Sequence, residues 1–231
     1  MTVTLRPATP SDIPACAAIT HAAFVPSALI HHVAPTSEEV SVGFWSAVIA
    51  SGIDSGPNAH VVVAEDTSQA PAVLLGLAKW VYVPEGAGVP GIGRAVPGEG
   101  VGGGEMASEG EGEGDGEGAQ DIFSHVRNPE MAKRYFAKQY EQHEKFMGAR
   151  GHWYLEMIST KREVKGLGTG RKLMEWGLKK VDADGCEAYL EASPEGRGLF
   201  ERFGFRVAER LVYLDGEYVE CSMMRGGKGT E

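Results

Sequence analysis

Seven consecutive residues, Lys165, Gly166, Leu167, Gly168, Thr169, Gly170 and Arg171, are the part of the chain best suited to chemistry. Glycines let the backbone approach a ligand with no Cβ in the way. Beyond the turn, Met174, Leu178 and Val181 recur at helical spacing, with Leu173 and Gly177 beside them. Arg171, Lys172, Glu175, Lys179 and Asp182 take the opposite face. The first N–H groups of such a helix have no internal partners and stand at the positive end of its dipole, so the turn offers an anion site suited to a phosphate. On glycine content alone it reads equally well as a tight connection that binds nothing. Spacing excludes two phosphate loops. A Walker A loop needs Gly-Lys-Ser/Thr where Gly166 is followed by Arg171-Lys172-Leu173, and a G-x-G-x-x-G fingerprint meets Arg171 or Leu173 in its last position.

The turn needs a strand before it, and His152 to Thr160, rich in aromatic and aliphatic residues, supplies one. Strand parity puts His152, Tyr154, Glu156 and Ile158 on one face. Glu156 is the carboxylate on that face and on its own reads as an ordinary hydrogen-bonded strand residue. A helix opening at Asn128-Pro129 precedes this strand, with Ala132, Phe136, Tyr140, His143 and Met147 along one face. Thr4 to Ala8 predicts a first strand. Helices follow from about Pro10 and from Ser37 to Ala50, with His31-His32 between them as substrate contacts or as plain loop residues. His60 to Ala64 and Ala72 to Val83 continue an antiparallel meander. After the glycine turn come a helix to about Asp184, a strand at Cys186 to Ala192, and a short helix from Ser193-Pro194 to Phe203. Two strands joined at Asp215-Gly216 complete the chain.

The chain has 231 residues, 42% of them hydrophobic, which suits one domain over residues 1–225 with a loose tail at 226–231. From Pro84 to about Gln120, Gly, Glu, Pro and Ser dominate, which predicts a disordered insertion. Between Pro84 and Asp121 nine acids stand against Arg94 alone. They carry −8 of the chain's net −10, so the rest is nearly neutral and presents no general basic face for nucleic acid. No stretch predicts a signal peptide or a membrane span. Cys16, Cys186 and Cys221 are few and widely spaced, which suggests reduced thiols in a cytoplasmic protein and no zinc site or other metal.

The stretch from Lys165 to Gly170 resembles motif A of the GNAT acyl-CoA N-acyltransferases, Q/R-x-x-G-x-G/A. Lys165 holds the Gln/Arg position, and Gly168 and Gly170 hold the small ones. The similarity runs from about His152 to Met224 and is closest to puromycin-acetyltransferase-like and fungal members. It implies an α+β GNAT fold: a mixed, mostly antiparallel sheet of six to seven strands flanked by helices. It implies an acetyl-CoA-dependent N-acetyltransferase acting on a primary amine of a small molecule, as a monomer or homodimer. Acetyl-CoA would be held by the turn from Lys165 to Arg171, by N–H groups of Ile158, Ser159 and Thr160 at a bulged, splayed strand end, and by Ser193. Catalytic Glu or His residues of the family fall near Tyr154 and Glu156. The stretch Leu199-Phe200-Glu201-Arg202-Phe203-Gly204-Phe205 resembles L-Y-x-x-x-G-F, whose Tyr protonates the CoA thiolate, but Phe200 has no hydroxyl. That departure leaves a second reading, a non-catalytic acyl-CoA-binding sensor or scaffold.

Overall fold

A computed structural model describes residues 1–35, 37–90 and 126–227. In chain order it runs β1 (Val3–Pro7), α1 (Ile13–Phe24), α2 (Ile30–Val33), α3 (Glu38–Asp54), β2 (Ala59–Asp66), β3 (Val73–Val83), α4 (Pro129–Phe146), β4 (His152–Thr160), α5 (Thr169–Asp184), β5 (Glu187–Ala192), α6 (Pro194–Arg202), β6 (Arg206–Tyr213) and β7 (Tyr218–Arg225). The strands form one seven-stranded sheet in the order β1-β2-β3-β4-β5-β7-β6. Every neighbouring pair is antiparallel except β4 and β5, which run parallel. This is the mixed α+β GNAT architecture that the sequence implied.

The helices divide between the two faces because their apolar stripes have to be covered. Leu173, Met174, Leu178 and Val181 of α5 pack on Trp80, Trp153 and Leu155. The approach is close: a Cβ on Gly177 would lie 2.0 Å from the Trp80 ring. On the other face Cys16, Ala17 and Ile19 of α1 and Ile49 of α3 cover Val61, Val63, Leu77 and Met157. Helix α4 lies toward β7, where Ala132 and Tyr135 share a cluster with Leu29, Val33 and Tyr218. Asn128 caps α4 by accepting from the Met131 N–H, as its place before Pro129 predicted.

Residues 84–90, assigned from sequence to the insertion, are mostly exposed, but the Gly86 N–H donates to Ala149 O at 2.7 Å, and Val89 is fully buried. The rest of the expected insertion, through 120, lies outside the described residues apart from 84–90. At the other end Gly226 and Gly227 are described, and Gly227 lies so close to Gly185 that a Cβ would meet its carbonyl at 2.2 Å. Among the described residues no helix is long and apolar enough to cross a membrane.

Candidate active site

The sheet opens where its one parallel pair stops. β4 and β5 are in register only from His152 to Tyr154 against Glu187 to Tyr189. Beyond that point Leu155 to Thr160 keep β3 on one side and have no β5 partner on the other. The gap leads into a cavity of about 210 Å³ that Tyr154 and Glu156 of β4, Glu191 of β5 and Glu220 of β7 all line. Its remaining walls are largely aromatic, with Phe44 and Trp45 from α3 and Phe136 and Tyr140 from α4.

A bulge sets the orientation on β4. Lys79 pairs with Met157 and Trp80 with Leu155, so Glu156 is the extra residue between them. The alternation expected from His152 to Ile158 therefore breaks at Glu156. Met157 joins the α1/α3 face, and Ile158 packs with the cluster under α5 together with Trp153 and Leu155. Ser159 is buried with its hydroxyl unpaired, and Thr160 ends the strand.

The glycine turn lies at the end of this strand. A 3-10 turn at Arg162–Val164 leads to Lys165, and Gly166 and Gly168 take φ of 82° and 86°, the left-handed region open to glycine. Gly168 is the N-cap of α5 and no side chain caps that helix, so its first N–H groups remain available to a ligand. A Cβ at Gly166 or Gly168 would meet nothing within 4 Å, so open space lies beside both. Lys165 and Leu167 are exposed, and the buried Thr169 hydroxyl has no partner. Gly170 lies close to Leu199 of α6, with 3.4 Å left for a Cβ. An uncapped helix start, left-handed glycines and open space above them fit a phosphate-bearing cofactor such as CoA.

The other expected residues are spread around the gap. Ser193 lines the cavity and is the N-cap of α6, where its Oγ accepts from the Gly196 N–H at 3.2 Å. Phe200 also lines the cavity, buried and edge-on to Phe205, and brings no hydroxyl to it. Of the paired histidines in α2, His31 lines a smaller cleft with His21 and Arg127 that adjoins the main cavity through Phe24, Ile30 and Trp45.

The carboxylates fall into two environments. Glu156 is ion-paired to Lys79 at 2.9 Å, and Lys79, itself buried, also donates to Val48 O at 3.2 Å. Across the gap Tyr154 donates to Glu191 Oε2 at 2.9 Å. Glu191 Oε1 is buried and meets no donor at hydrogen-bonding geometry, although Tyr189 lies near enough to favour the charged form. Burial, and then the nearby Glu220, push the Glu191 carboxyl up to about 8 against the opposing pull of the two tyrosines. Glu220 accepts from Tyr135 at 2.9 Å and from Gln139, yet burial still pushes it up to about 7. The Tyr154 phenol, desolvated and facing Glu191, is held well above its ordinary value, so it acts as a donor and not as a base.

A histidine pair backs this wall. His152 Nδ1 lies 2.7 Å from Arg150 O, a carbonyl that can only accept, so that nitrogen carries the proton. His152 Nε2 then accepts from His143 Nε2 at 2.7 Å. Burial, followed by the neighbouring His152, pushes His143 down to about 3, and both rings are neutral. His143 stacks on Tyr189 with ring centroids 4.5 Å apart.

Sequence reasoning missed Lys79, Glu191 and Glu220. A signal was present, because each is a charged residue inside an apolar strand, and a buried charge requires a partner. Among the described residues no group of His, Cys, Asp and Glu is arranged to hold a metal ion.

Residues 131–205 match the model of the acetyltransferase (GNAT) family. That segment contains α4, β4, the glycine turn, α5, β5 and α6. None of the curated proteins compared matches the chain. Among solved structures, the chain is similar to a histone acetyltransferase HPA2 and related acetyltransferase from Corynebacterium glutamicum, with a TM-score of 0.56, 21% identity and coverage of 98% of this chain and 97% of that one. A mosquito arylalkylamine N-acetyltransferase like 5b gives 0.58 and 15%, with 97% and 100% covered. The C-terminal condensation domain of Ebony, in complex with beta-alanyl-dopamine, gives 0.64 and 9%, with 98% and 99% covered. At these identities the likeness is one of fold. The matched family segment and the shared fold together support a place in the GNAT acetyltransferase superfamily, and the chain is an acyltransferase.

Proposed function

We propose that the protein transfers an acetyl group from acetyl-CoA to a primary amine of a small molecule. The observation that carries this reading is the carboxylate-lined cavity of about 210 Å³ at the splay of β4 and β5, one strand end away from the uncapped glycine turn. The sequence resemblance to puromycin-acetyltransferase-like members supports a small acceptor.

The N–H groups from Lys165 to Arg171 would hold the pyrophosphate, with Lys165 adding charge. Ile158, Ser159 and Thr160 would offer N–H groups to the acetyl carbonyl and the pantetheine arm, and Ser193 would flank that arm. When bound, acetyl-CoA supplies an activated thioester. Glu156 is assigned as the base that takes a proton from the acceptor ammonium, directly or through a water, so that the free amine can form the amide bond as the C–S bond breaks. Tyr154 is assigned to position Glu191, to which it donates. With Phe200 in place of a tyrosine, the departing thiolate takes, through water, the second proton that the nitrogen sheds as it becomes the amide.

A thiol-release assay with acetyl-CoA and a panel of amines tests the reading. Glu156→Gln keeps the size and part of the hydrogen bonding but removes the base, so kcat should fall about 10²–10⁴-fold with CoA affinity little changed. The loss should shrink toward high pH, where free amine is already present. A variant that keeps its parent's kcat between about pH 6 and 9 would move the base elsewhere.

A further inference from the structure

We propose that Glu191 and Glu220 form the subsite for the acceptor's ammonium, and that the acceptor is an amine cation carrying no carboxylate or phosphate. The inference rests on the N-acetyltransferase reading and names its substrate class.

The cavity's charge balance is one-sided. Among the described residues lining it, Glu156, Glu191 and Glu220 are acidic and none is Lys or Arg. Lys79 stands behind Glu156 and is already engaged by it and by the Val48 carbonyl. His143 lines the cavity as a neutral ring. An acceptor bearing an acid group would therefore bring a negative charge into a largely apolar enclosure where, among the described lining residues, no Lys or Arg stands to receive it.

An ammonium meets the opposite situation. Glu191 Oε1 is a buried oxygen with acceptor capacity left, on a side chain fixed from the other side by Tyr154. Glu220 is fixed by Tyr135 and Gln139 of α4, and its charge lies close enough to Glu191 to oppose that carboxyl's ionisation. An ammonium between them would relieve that repulsion and supply the missing donor. The aromatic rings of Phe44, Trp45, Phe136 and Tyr140 would surround the body of the amine, so an apolar or aromatic body fits and a polar one does not.

The test pairs each amine with its amino-acid parent: phenethylamine with phenylalanine, and cadaverine with lysine. With wild-type protein and acetyl-CoA, each amine should show a kcat/KM at least about 100-fold above that of its parent, because juxtaposing like charges in a desolvated site is strongly penalised. Equal values for the two members of the pairs would overturn the inference and leave the N-acetyltransferase reading standing. If no amine releases thiol, that reading fails, and calorimetry with CoA present then decides the subsite. Heat of binding from phenethylamine and none from phenylalanine supports it; no binding, or equal binding, overturns it. Glu220→Gln, which keeps the Tyr135 and Gln139 contacts available, should raise KM for phenethylamine about 10-fold with kcat and CoA affinity largely kept, and should narrow the gap between amine and amino acid. A Glu220→Gln protein with unchanged KM and unchanged discrimination would exclude Glu220 from the subsite.

Discussion

Two parts of the site handle charge in opposite ways. At the turn from Lys165 to Arg171 the polar groups are backbone N–H groups, exposed beside glycines at φ of 82° and 86° and uncapped by any side chain. On the wall formed by β5 and β7 they are side chains, the half-buried Glu191 with its Oε1 out of solvent and the buried Glu220, both oriented by tyrosines. The turn needs an absence of atoms and works with partial charges already present in any helix. The wall needs ionisable groups taken out of water, where burial favours their protonated form, and each must be supported from behind by a second residue. The first arrangement is tolerant in sequence except at its glycines. The second depends on contacts between residues far apart in the chain, such as Tyr135 with Glu220 and Tyr154 with Glu191.

The largest effect should come from the turn. Gly168→Asp places a carboxylate at the N-cap of α5, where it can accept from the helix's own N–H groups and take the place of a phosphate. Asp is among the residues that enter the left-handed region most readily, and a Cβ there meets nothing within 4 Å, so the protein should still fold, at a backbone cost of about 1–2 kcal/mol. CoA binding by calorimetry should vanish while the cooperative thermal transition is kept at a modestly lower Tm. An unchanged CoA affinity would remove the turn from the cofactor site.

The same contrast explains what could be read without a structure. The turn was legible because glycine spacing and a helical stripe are local features, and so was α4, with Asn128-Pro129 at its start. Strand existence was legible for the same reason, in the runs of Val61 to Ala64 and Leu74 to Val83. The bulge at Glu156 was not legible. It exists only in the pairing of β3 with β4, and it sends Ile158 to the face opposite the one that strict alternation assigned. The Glu191–Glu220 wall was hidden likewise, because β5 and β7 are neighbours in the sheet but separated in sequence by α6 and β6. The burial of Val89 at the start of the Gly/Pro-rich segment was not legible, because it is a single apolar side chain within a polar composition.

The β4 wall provides the next test, since there a carboxylate is neutralised by a lysine where the β5–β7 wall uses tyrosines. Lys79→Met would leave Glu156 half-buried without its ion partner and Val48 O without a donor. Removing one member of a buried pair costs about 3–5 kcal/mol, and the 18% exposure of Glu156 places the expected loss at the low end of that range. The double variant Lys79→Met/Glu156→Gln should recover most of it, because no unpaired charge remains. Denaturant unfolding of the three proteins measures both values. A single-variant loss below about 1 kcal/mol would show that Glu156 is solvated well enough to do without Lys79.

The smallest expected effect is the pH dependence of stability on the β5–β7 wall. The Glu191 carboxyl is raised to about 8 from an ordinary 4.5 by burial and by Glu220, while Tyr154 and Tyr189 pull it down. Between those values the folded chain holds a proton that the unfolded chain has lost, so this group's contribution is fully present below about 4.5 and is lost as pH rises toward 8. Glu191→Gln removes the dependence and keeps an oxygen for the Tyr154 hydroxyl to donate to. Wild type and variant should therefore differ little near pH 5, and the variant should gain on the wild type up to about pH 8, after which the gap stops widening. His143, pushed down to about 3, acts with the opposite sign: its neutral form is favoured in the folded chain, so stability falls as pH drops from about 6.5. That slope belongs to both proteins and cancels in their difference. The difference at pH 8 should reach at least about 1 kcal/mol, or about 2–4 °C in Tm for a chain of this size. A Tm difference that stays constant from about pH 5 to 9 would mean that Glu191 is already ionised in the folded protein at the acid end, and that the wall carries its charge without waiting for an ammonium.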